Sequence, residues 1–310
     1  MTDTQIIPNA PVSVFLTGAA GGLGREVTRR LTAAGHRVTG AVSDSADAVK
    51  VRADGGIPAY PDLYRAGELR SVIVGAEAKI VLNLAPQMPN HVPQVSAHWD
   101  ERLADATTAL MEAAAEAGVE YVVHSSYACA DARLQDAKAI LRAARAAEQV
   151  ALNGAVPACV LRFGFLYGAG SDEFEALRDT LRLGRPLLVG PDDTRMNWVY
   201  ISDAASAVIL AAEQRPAGAL LNIVDDQPAA PAAFLRYFAD SNGFSIPPAL
   251  PQFAARWLLP KAQQAILNLN SHVDNAAAKE TLGWSPRFSS YTQGIDDTLL
   301  SWRAQEPVVS

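Results

Sequence analysis

Residues 12–24 read VSVFLTGAAGGLG, a short apolar stretch that leads directly into a glycine-rich turn. The stretch 12–17 has the β-branched and aromatic composition of a buried strand, and the residues after the turn have the spacing of an amphipathic helix. Glycines let the backbone approach a ligand, and the helix N-terminus offers unpaired N–H groups and a positive dipole end. Together these features predict a dinucleotide site, with the pyrophosphate held at Gly18, Ala20, Gly21, Gly22, Leu23 and Gly24.

The alternation of strand and helix continues through the first 165 residues. Apolar stretches predict strands at 12–17, 37–42, 57–60, 79–84, 121–125 and 158–163, and the segments between them predict helices at 22–34, 46–53, 65–75, 95–117 and 133–154. Strands that are apolar on both faces and alternate with helices form a parallel sheet covered on both sides. The expected fold class is therefore α/β, a doubly wound parallel sheet of the Rossmann type with its ligand crevice at the carboxyl ends of the strands.

Beyond residue 165 the pattern is less regular. Helices are predicted at 173–183 and 203–213 and strands at 197–201 and 220–224, and prolines divide much of the remainder into short pieces. We expect residues 1–165 to form the dinucleotide-binding domain. Residues 166–310 would form a smaller substrate-binding cap, with segments that return to the main sheet.

Composition excludes several classes of protein. Hydrophobic residues make up 49% of the chain, and a net charge of -7 gives no electrostatic reason to bind nucleic acid. The two cysteines, Cys129 and Cys159, have no metal-ligand spacing, so neither a metal site nor a disulfide framework is expected. No signal-peptide pattern and no apolar run of ~20 residues occurs, so we expect a cytoplasmic protein that contacts no membrane.

Several stretches beyond the turn match a known family. These are Asp62-Leu63, Asn83-Leu84-Ala85, LRFGFLYG at 161–168, WVYISDAA at 198–205 and LGWSP at 282–286. With the spacing of Gly18, Gly21 and Gly24, they resemble the short-chain dehydrogenase/reductase superfamily, in particular its extended and atypical epimerase/dehydratase members. The resemblance covers nearly the whole chain, with Phe163 where proline is usual.

The resemblance implies further cofactor contacts. Asp62 and Leu63 would contact adenine, and Leu84 and Ala85 would line the cofactor at the end of the fourth strand. The choice between NAD and NADP depends on the end of the second strand, where Ser43 and Asp44 stand. A carboxylate there favours the ribose hydroxyl of NAD, although Asp44 is about two positions later than the usual acid. Arg25 is the alternative partner, for the 2′-phosphate of NADP, and the sequence favours NAD.

The usual catalytic residues of that superfamily are missing. Its oxidoreductases use a Tyr-x-x-x-Lys on the helix after the fifth strand, in which the tyrosine exchanges a proton with the substrate oxygen and the lysine lowers its pKa. Counting back from Arg162, the family's helical glutamate falls on Glu148, its lysine on Ala144 and its tyrosine on Ile140. A register that uses Lys138 places Leu134 at the tyrosine position.

Other residues near the expected crevice are candidates for these roles. Tyr127 at the end of the fifth strand is either a relocated acid or a wall of the pocket, and Ser126 precedes it. His91, in the loop after the fourth strand, and Lys138 are possible proton donors, although each is also compatible with simple exposure. The substrate pocket is expected to involve Gln87, Met88, Phe163, Phe165, Arg195 and Trp198.

Three functions fit this sequence. The first is an NAD(P)-dependent oxidoreductase, epimerase or dehydratase that acts on a small-molecule carbonyl or alcohol, of the kind found in secondary metabolism, through a non-standard catalytic centre. The second is a non-redox enzyme on the same fold, such as a cyclase or isomerase. The third is a cofactor-sensing regulator similar to NmrA. The family resemblance also allows a homodimer.

Overall fold

The computed structural model describes residues 11–85, 99–130, 138–184, 194–246 and 272–305. Its strands are β1 Ser13–Thr17, β2 Arg37–Ala41, β3 Ile57–Ala59, β4 Ile80–Asn83, β5 Tyr121–Tyr127, β6 Ala158–Phe163, β7 Phe165–Tyr167, β8 Trp198–Tyr200 and β9 Leu220–Ile223. Its helices are α1 Gly22–Ala33, α2 Ser45–Ala53, α3 Ala66–Gly75, α4 Trp99–Glu116, α5 Lys138–Leu152, α6 Asp172–Arg182, α7 Ile201–Gln214, α8 Pro231–Asn242, α9 Ala276–Leu282 and α10 Tyr291–Gln305.

Seven of these strands form one parallel sheet in the order β3-β2-β1-β4-β5-β6-β9. Strand β1 pairs with β2 on one side and with β4 on the other, so the direction of winding reverses there. In register, Thr17 lies opposite Asn83, and Asn83 lies opposite His124. The carboxyl ends of three strands therefore meet at one edge, where ligands bind in sheets of this kind. The predicted doubly wound α/β fold is confirmed.

Alternating side chains of the strands supply a separate core on each face of the sheet. Leu16 faces a cluster that includes Val27 of α1 and Val208 of α7. Its neighbour Phe15 faces the opposite cluster, with Ile73 of α3. This burial on both faces explains why the strands read as continuous apolar stretches in the sequence.

A third cluster holds together the part of the chain beyond the main sheet. Strands β7 and β8 pair with each other, and their aromatic side chains pack with those of α6, α8 and α10. Trp198 stacks on Phe234 with ring centroids 4.0 Å apart, and Phe174 stacks on Trp302 at 5.7 Å. Strand β9 returns from this part of the chain to the main sheet, where it lies beside β6.

The predicted and observed elements differ mostly at their ends. Strand β5 runs to Tyr127, two residues beyond its predicted end, because Ser126 and Tyr127 continue the ladder with β6. Helix α7 begins at Ile201, directly after β8, so the predicted strand at 197–201 is shorter. The predicted beginnings of the helices at 95–117 and 133–154 lie outside the described residues.

Within the described residues, no helix combines the length and apolar character that crossing a membrane requires. The same residues contain no group of three histidine, cysteine, aspartate or glutamate side chains arranged for a metal ion.

One carboxyl group is buried just beyond the end of β9. Asp225 is 2% exposed, and among the described residues neither carboxylate oxygen has a hydrogen-bond partner of good geometry, although the backbone of Gln227 and Trp198 lies close enough to oppose the rise in its pKa. Burial raises the pKa of Asp225 to about 8, and the nearby carboxylates of Asp226 and Asp203 add to the rise. The group is therefore largely protonated in the folded protein at neutral pH.

This raised pKa predicts that stability falls as pH rises from about 4 to about 8. Over that interval Asp225 is protonated when folded and ionised when unfolded, so its contribution is complete below its unfolded pKa of ~3.9 and is lost as pH rises through the folded pKa. Asp225→Asn should remove this part of the decline and raise the free energy of unfolding at pH 8 by about 1–3 kcal/mol. Urea denaturation of both proteins at pH 5 and pH 8 measures the difference. If the free energy of unfolding changes equally with pH in the wild type and in Asp225→Asn, the prediction is wrong.

Candidate functional site

The glycine-rich turn brings the backbone of β1, β4 and α1 into close contact. Gly18 has φ +70°, and a Cβ on it would lie 2.7 Å from the carbonyl oxygen of Leu84. A Cβ on Gly24 would overlap the carbonyl oxygen of Gly18. Both glycines are therefore required by packing, since any side chain would force the strand, the turn and the helix apart.

Gly21 has a different role, because its backbone would tolerate a side chain. It caps the N-terminus of α1 at φ -74° and ψ 160°, an extended conformation open to any residue, and no side chain caps the helix there. The first turn of α1 also contains no acidic residue. Free N–H groups, the positive dipole end and a bare Cα together suit a pyrophosphate, as the sequence predicts.

A cavity of about 160 Å³ lies at the carboxyl edge of the sheet, where the ends of β1 and β4 contribute Thr17 and Asn83. Its walls contain two of the predicted cofactor residues, Leu63 and Ala85. The full lining is Thr17, Leu63, Tyr64, Asn83, Ala85, Arg102, Leu103, Ala106, Thr107 and Leu110. The residues present therefore fit the adenosine half of a dinucleotide, with an apolar wall from α4 and polar groups at the strand ends.

The end of β2 favours NAD over NADP. The carboxylate of exposed Asp44 caps α2 by accepting a hydrogen bond from the Asp47 amide at 2.9 Å, and the Ser43 hydroxyl donates to Asp47 at 3.3 Å. Arg25, the alternative partner for a 2′-phosphate, instead pairs with Asp54, with its Nε 2.7 Å from Oδ2. A guanidinium engaged in that way is a poor ligand for a phosphate on the ribose.

A buried chain of hydrogen bonds joins the ends of three strands. The Ala85 amide donates to the Thr17 hydroxyl at 3.2 Å, which donates to Asn83 Oδ1 at 2.6 Å. Asn83 Nδ2 lies 2.9 Å from His124 Nδ1, so His124 accepts there and carries its proton on Nε2. Burial lowers the pKa of His124 to about 4, which keeps the ring neutral at neutral pH. Sequence reasoning missed this chain, although three polar residues at adjacent strand ends were its signal.

Behind Tyr127, a buried ion pair fixes helix α5 against β6. Arg162 donates from Nε to Glu148 Oε1 at 2.7 Å and from Nη2 to Oε2 at 2.6 Å. The Ser126 hydroxyl donates to the same carboxylate at 2.6 Å. Counting back from Arg162 under the family resemblance also leads to Glu148. In that register Ala144, buried to 2% exposure, takes the position of the family's lysine.

Tyr127 ends β5 with its phenol enclosed. The residue is 5% exposed and packs with Leu141 and Ala144 of α5, and its hydroxyl has no hydrogen-bond partner among the described residues. Burial, with a smaller contribution from Cys129, raises the pKa of Tyr127 far above its ordinary value. The phenol therefore stays neutral at neutral pH.

The other predicted site residues divide into those the structure places and those it does not describe. Trp198 is buried, lies 5.9 Å from Phe165 between ring centroids and donates from Nε1 to the Ala229 carbonyl at 3.2 Å. Phe163 belongs to the main core, and Arg195 is exposed. Gln87, Met88 and His91 lie outside the described residues, and Lys138 begins α5 with its side chain not described.

Solved structures of similar fold include two that were determined with a nucleotide bound. The UDP-glucose 4-epimerase of Thermotoga maritima, solved with UDP-glucose, is 18% identical, with a TM-score of 0.75 and coverage of 94% of this chain and 98% of that one. The dTDP-glucose 4,6-dehydratase of Streptomyces venezuelae, solved with NAD, is 18% identical, with a TM-score of 0.77 and coverage of 94% and 97%. At this level of identity they establish the shared fold.

Two relatives match over almost their whole length. A 3-diazoavenalumate denitrifying reductase from a Streptomyces species is 28% identical over 304 residues, which is 91% of this chain and 98% of the relative. A 4-hydroxy-2-methyl-3-oxo-4-farnesyl-3,4-dihydroquinoline-1-oxide ketoreductase from Stigmatella aurantiaca is 25% identical, over 91% of this chain and 94% of the relative.

The family itself is established by a match over most of the chain. The model of the NAD dependent epimerase/dehydratase family matches residues 14–223, from β1 through β9. This span contains the glycine-rich turn, the adenosine cavity and the Glu148–Arg162 pair, and it confirms the expected enzyme class and the preference for NAD. With its fold, its cofactor site and this match in agreement, the chain belongs to the NAD-dependent epimerase/dehydratase family of the short-chain dehydrogenase/reductase superfamily.

Proposed function

We propose that this enzyme is a reductase that acts on an electron-poor carbon of a small, largely apolar organic molecule, without a tyrosine–lysine proton donor. Bound NADH would supply the hydride. The observation that supports the proposal is the Glu148–Arg162 pair, because it agrees with the register, implied by the family resemblance, in which buried Ala144 takes the position of the family's lysine. The two relatives that span nearly the whole chain are both named as reductases.

One of these relatives suggests a reaction that suits such a site. Its name describes the reductive loss of nitrogen from a diazo compound. At a diazonium carbon, a new C–H bond forms while N₂ leaves with the electron pair of the broken C–N bond, so atoms and charge balance without a proton donor. A ketone is different, because its oxygen must be protonated. The missing tyrosine and lysine therefore favour a substrate of the first type.

The chain's own residues would bind and orient the reactants. The turn from Gly18 to Gly24 would hold the pyrophosphate, and the cavity beside Leu63 and Ala85 would hold the adenosine. The end of β5, which carries His124, Ser126 and Tyr127, and the aromatic rings of Phe165 and Trp198 would lie nearest the reacting carbon, with the Ser126 hydroxyl turned to Glu148 and the Tyr127 hydroxyl enclosed. His91, Gln87, Met88, Arg195 and Lys138 stay predictions for the same pocket.

The experiment is a label transfer with purified protein. NADH deuterated at C4 is incubated with a panel of aryl diazonium carboxylates and, separately, with a panel of aryl ketones. We expect deuterium at the carbon that carried nitrogen, with one equivalent of NADH consumed. Reactions without protein correct for the intrinsic reactivity of diazonium compounds. Product without loss of NADH would favour the non-redox alternative, and bound NAD without label transfer to any substrate would refute the proposal.

Tyr127→Phe should leave turnover of a diazonium substrate within about threefold of the wild type. The phenol is neutral and enclosed, so its removal costs packing and one hydrogen-bond donor rather than an acid. The measurement is kcat and KM with the wild type as reference and with the Tm of both proteins recorded. A loss above about 100-fold at unchanged Tm would instead make Tyr127 the proton donor, since losses of that size are typical of a removed acid.

We also propose a class of substrate and a cellular location for the enzyme. The substrate is a small molecule, as in the related structures solved with sugar nucleotides. Both cysteines are buried and unpaired, which suits the reducing cytoplasm. A homodimer stays a prediction from the family resemblance.

A further inference from the structure

A stacked pair of side chains stands at the wall of the adenosine cavity. The guanidinium carbon of Arg102, from α4, lies 4.3 Å from the centroid of the Tyr64 ring, and both residues line the cavity. Tyr64 is 46% exposed, so the pair is at the solvent side of the cavity rather than in the core. A planar guanidinium has two faces, and Tyr64 covers one of them.

The turn that carries Tyr64 is held rigidly by its neighbours. Asp62 Oδ1 accepts a hydrogen bond from the Tyr64 amide at 2.9 Å, and Asp62 Oδ2 lies 3.3 Å from Arg65 Nε. The Asp62 amide in turn donates to Glu68 Oε2 at 3.0 Å, which ties the turn to the beginning of α3. The carboxylate of Asp62 thus positions the ring of Tyr64 at the cavity wall, where a further side chain of that wall is placed to contact a ligand.

We propose that Arg102 is that side chain, and that the adenine ring of the cofactor stacks on the face of its guanidinium opposite Tyr64. The inference deepens the dinucleotide site on which the proposed function rests. Arginine and aromatic planes stack on nucleobases without reading their hydrogen-bonding edge, and each such contact is worth ~1–3 kcal/mol. Leu63 and Ala106 supply the apolar surroundings that a base requires. Tyr64 acts through Arg102 as a positioning residue.

The test is direct binding, measured by calorimetry with NAD, NADP and AMP as ligands. Arg102→Ala should raise the Kd for NAD and AMP by about tenfold, a fold-change within the range for one lost base stack. Arg102→Lys should behave like the alanine variant, since an ammonium has no plane. Tyr64→Phe should bind NAD and AMP like the wild type. Tyr64→Ala should have a Kd between those of the wild type and Arg102→Ala. Arg70→Ala is the matched control, because Arg70 is an exposed arginine of α3 that pairs with Glu116 at 3.5 Å.

Each of the other results of this binding experiment would contradict one specific claim. If Arg102→Ala binds NAD and AMP like the wild type, or if Arg102→Lys restores full binding, the proposed stack is wrong and the dinucleotide site is unaffected. A loss confined to NADP would make Arg102 a ligand for the 2′-phosphate and would also overturn the stack. A wild-type protein that binds neither AMP nor NAD would overturn the dinucleotide site itself. If Arg70→Ala loses as much NAD affinity as Arg102→Ala, the effect comes from the loss of a positive charge and not from stacking.

Discussion

Gly21→Val is expected to weaken NAD binding by at least about 100-fold, or ~2.7 kcal/mol, while the protein remains folded. The backbone of Gly21 is extended, a conformation that any residue adopts, so valine there adds no backbone strain to the free protein. A branched side chain at the N-terminus of α1 would, however, occupy the space in which a pyrophosphate meets the helix N–H groups. Calorimetry with NAD and the thermal midpoint of the free protein separate the two effects.

Two other glycines serve as controls for this substitution. Gly67→Val, in α3, places a Cβ where no atom lies within 4 Å, so NAD binding should not change. Gly24→Ala should instead destabilise the free protein, because its Cβ overlaps the Gly18 carbonyl. If Gly21→Val binds NAD as tightly as the wild type, the pyrophosphate does not lie at this turn.

Glu148→Ala should lower the free energy of unfolding by about 3–5 kcal/mol, the range for breaking a buried ion pair by removing one partner. Arg162 would keep its charge at 9% side-chain exposure without the carboxylate that now receives two of its hydrogen bonds. The Ser126 hydroxyl would lose its acceptor as well. Urea denaturation followed by circular dichroism gives the value.

A surface ion pair and a double substitution test whether the loss of stability comes from a buried charge left without its partner. Arg215 and Glu120 are 2.9 Å apart but 38% and 46% exposed, so Glu120→Ala should cost less than about 1 kcal/mol. Glu148→Leu combined with Arg162→Met should recover most of the lost stability, because no buried charge is then left alone. A loss for Glu148→Ala as small as that for Glu120→Ala would contradict the account.

Much of the fold follows from local sequence, and the reasons are physical. Continuous apolar strands, amphipathic helices and the glycine-rich turn report burial and backbone constraints that act within about ten residues. The position of Glu148 came from the family resemblance, by counting back from Arg162, and its pairing with Arg162 is seen only in the structure. The exact end of β5 was not predictable, because the apolar stretch stops at residue 125 and only the ladder with β6 shows that Ser126 and Tyr127 continue the strand.

The site was less predictable because it is assembled across distant segments. Thr17, Asn83 and His124 each look like an isolated polar residue in a strand, and only the register of β1, β4 and β5 joins them. Arg102 and Tyr64 meet because α4 packs over the turn after β3, which no local pattern specifies. The enclosure of the Tyr127 hydroxyl likewise depends on how α5 is seated by Glu148.

The return of β9 to the main sheet makes the two halves of the polypeptide interdependent. Strand β6 pairs with β5 on one side and with β9 on the other. A fragment that stops near residue 165 would leave the outer hydrogen-bonding groups of β6 bare, an edge prone to intermolecular pairing. Evolution can therefore vary the loops that select a substrate, but it cannot exchange the C-terminal half as an independent module.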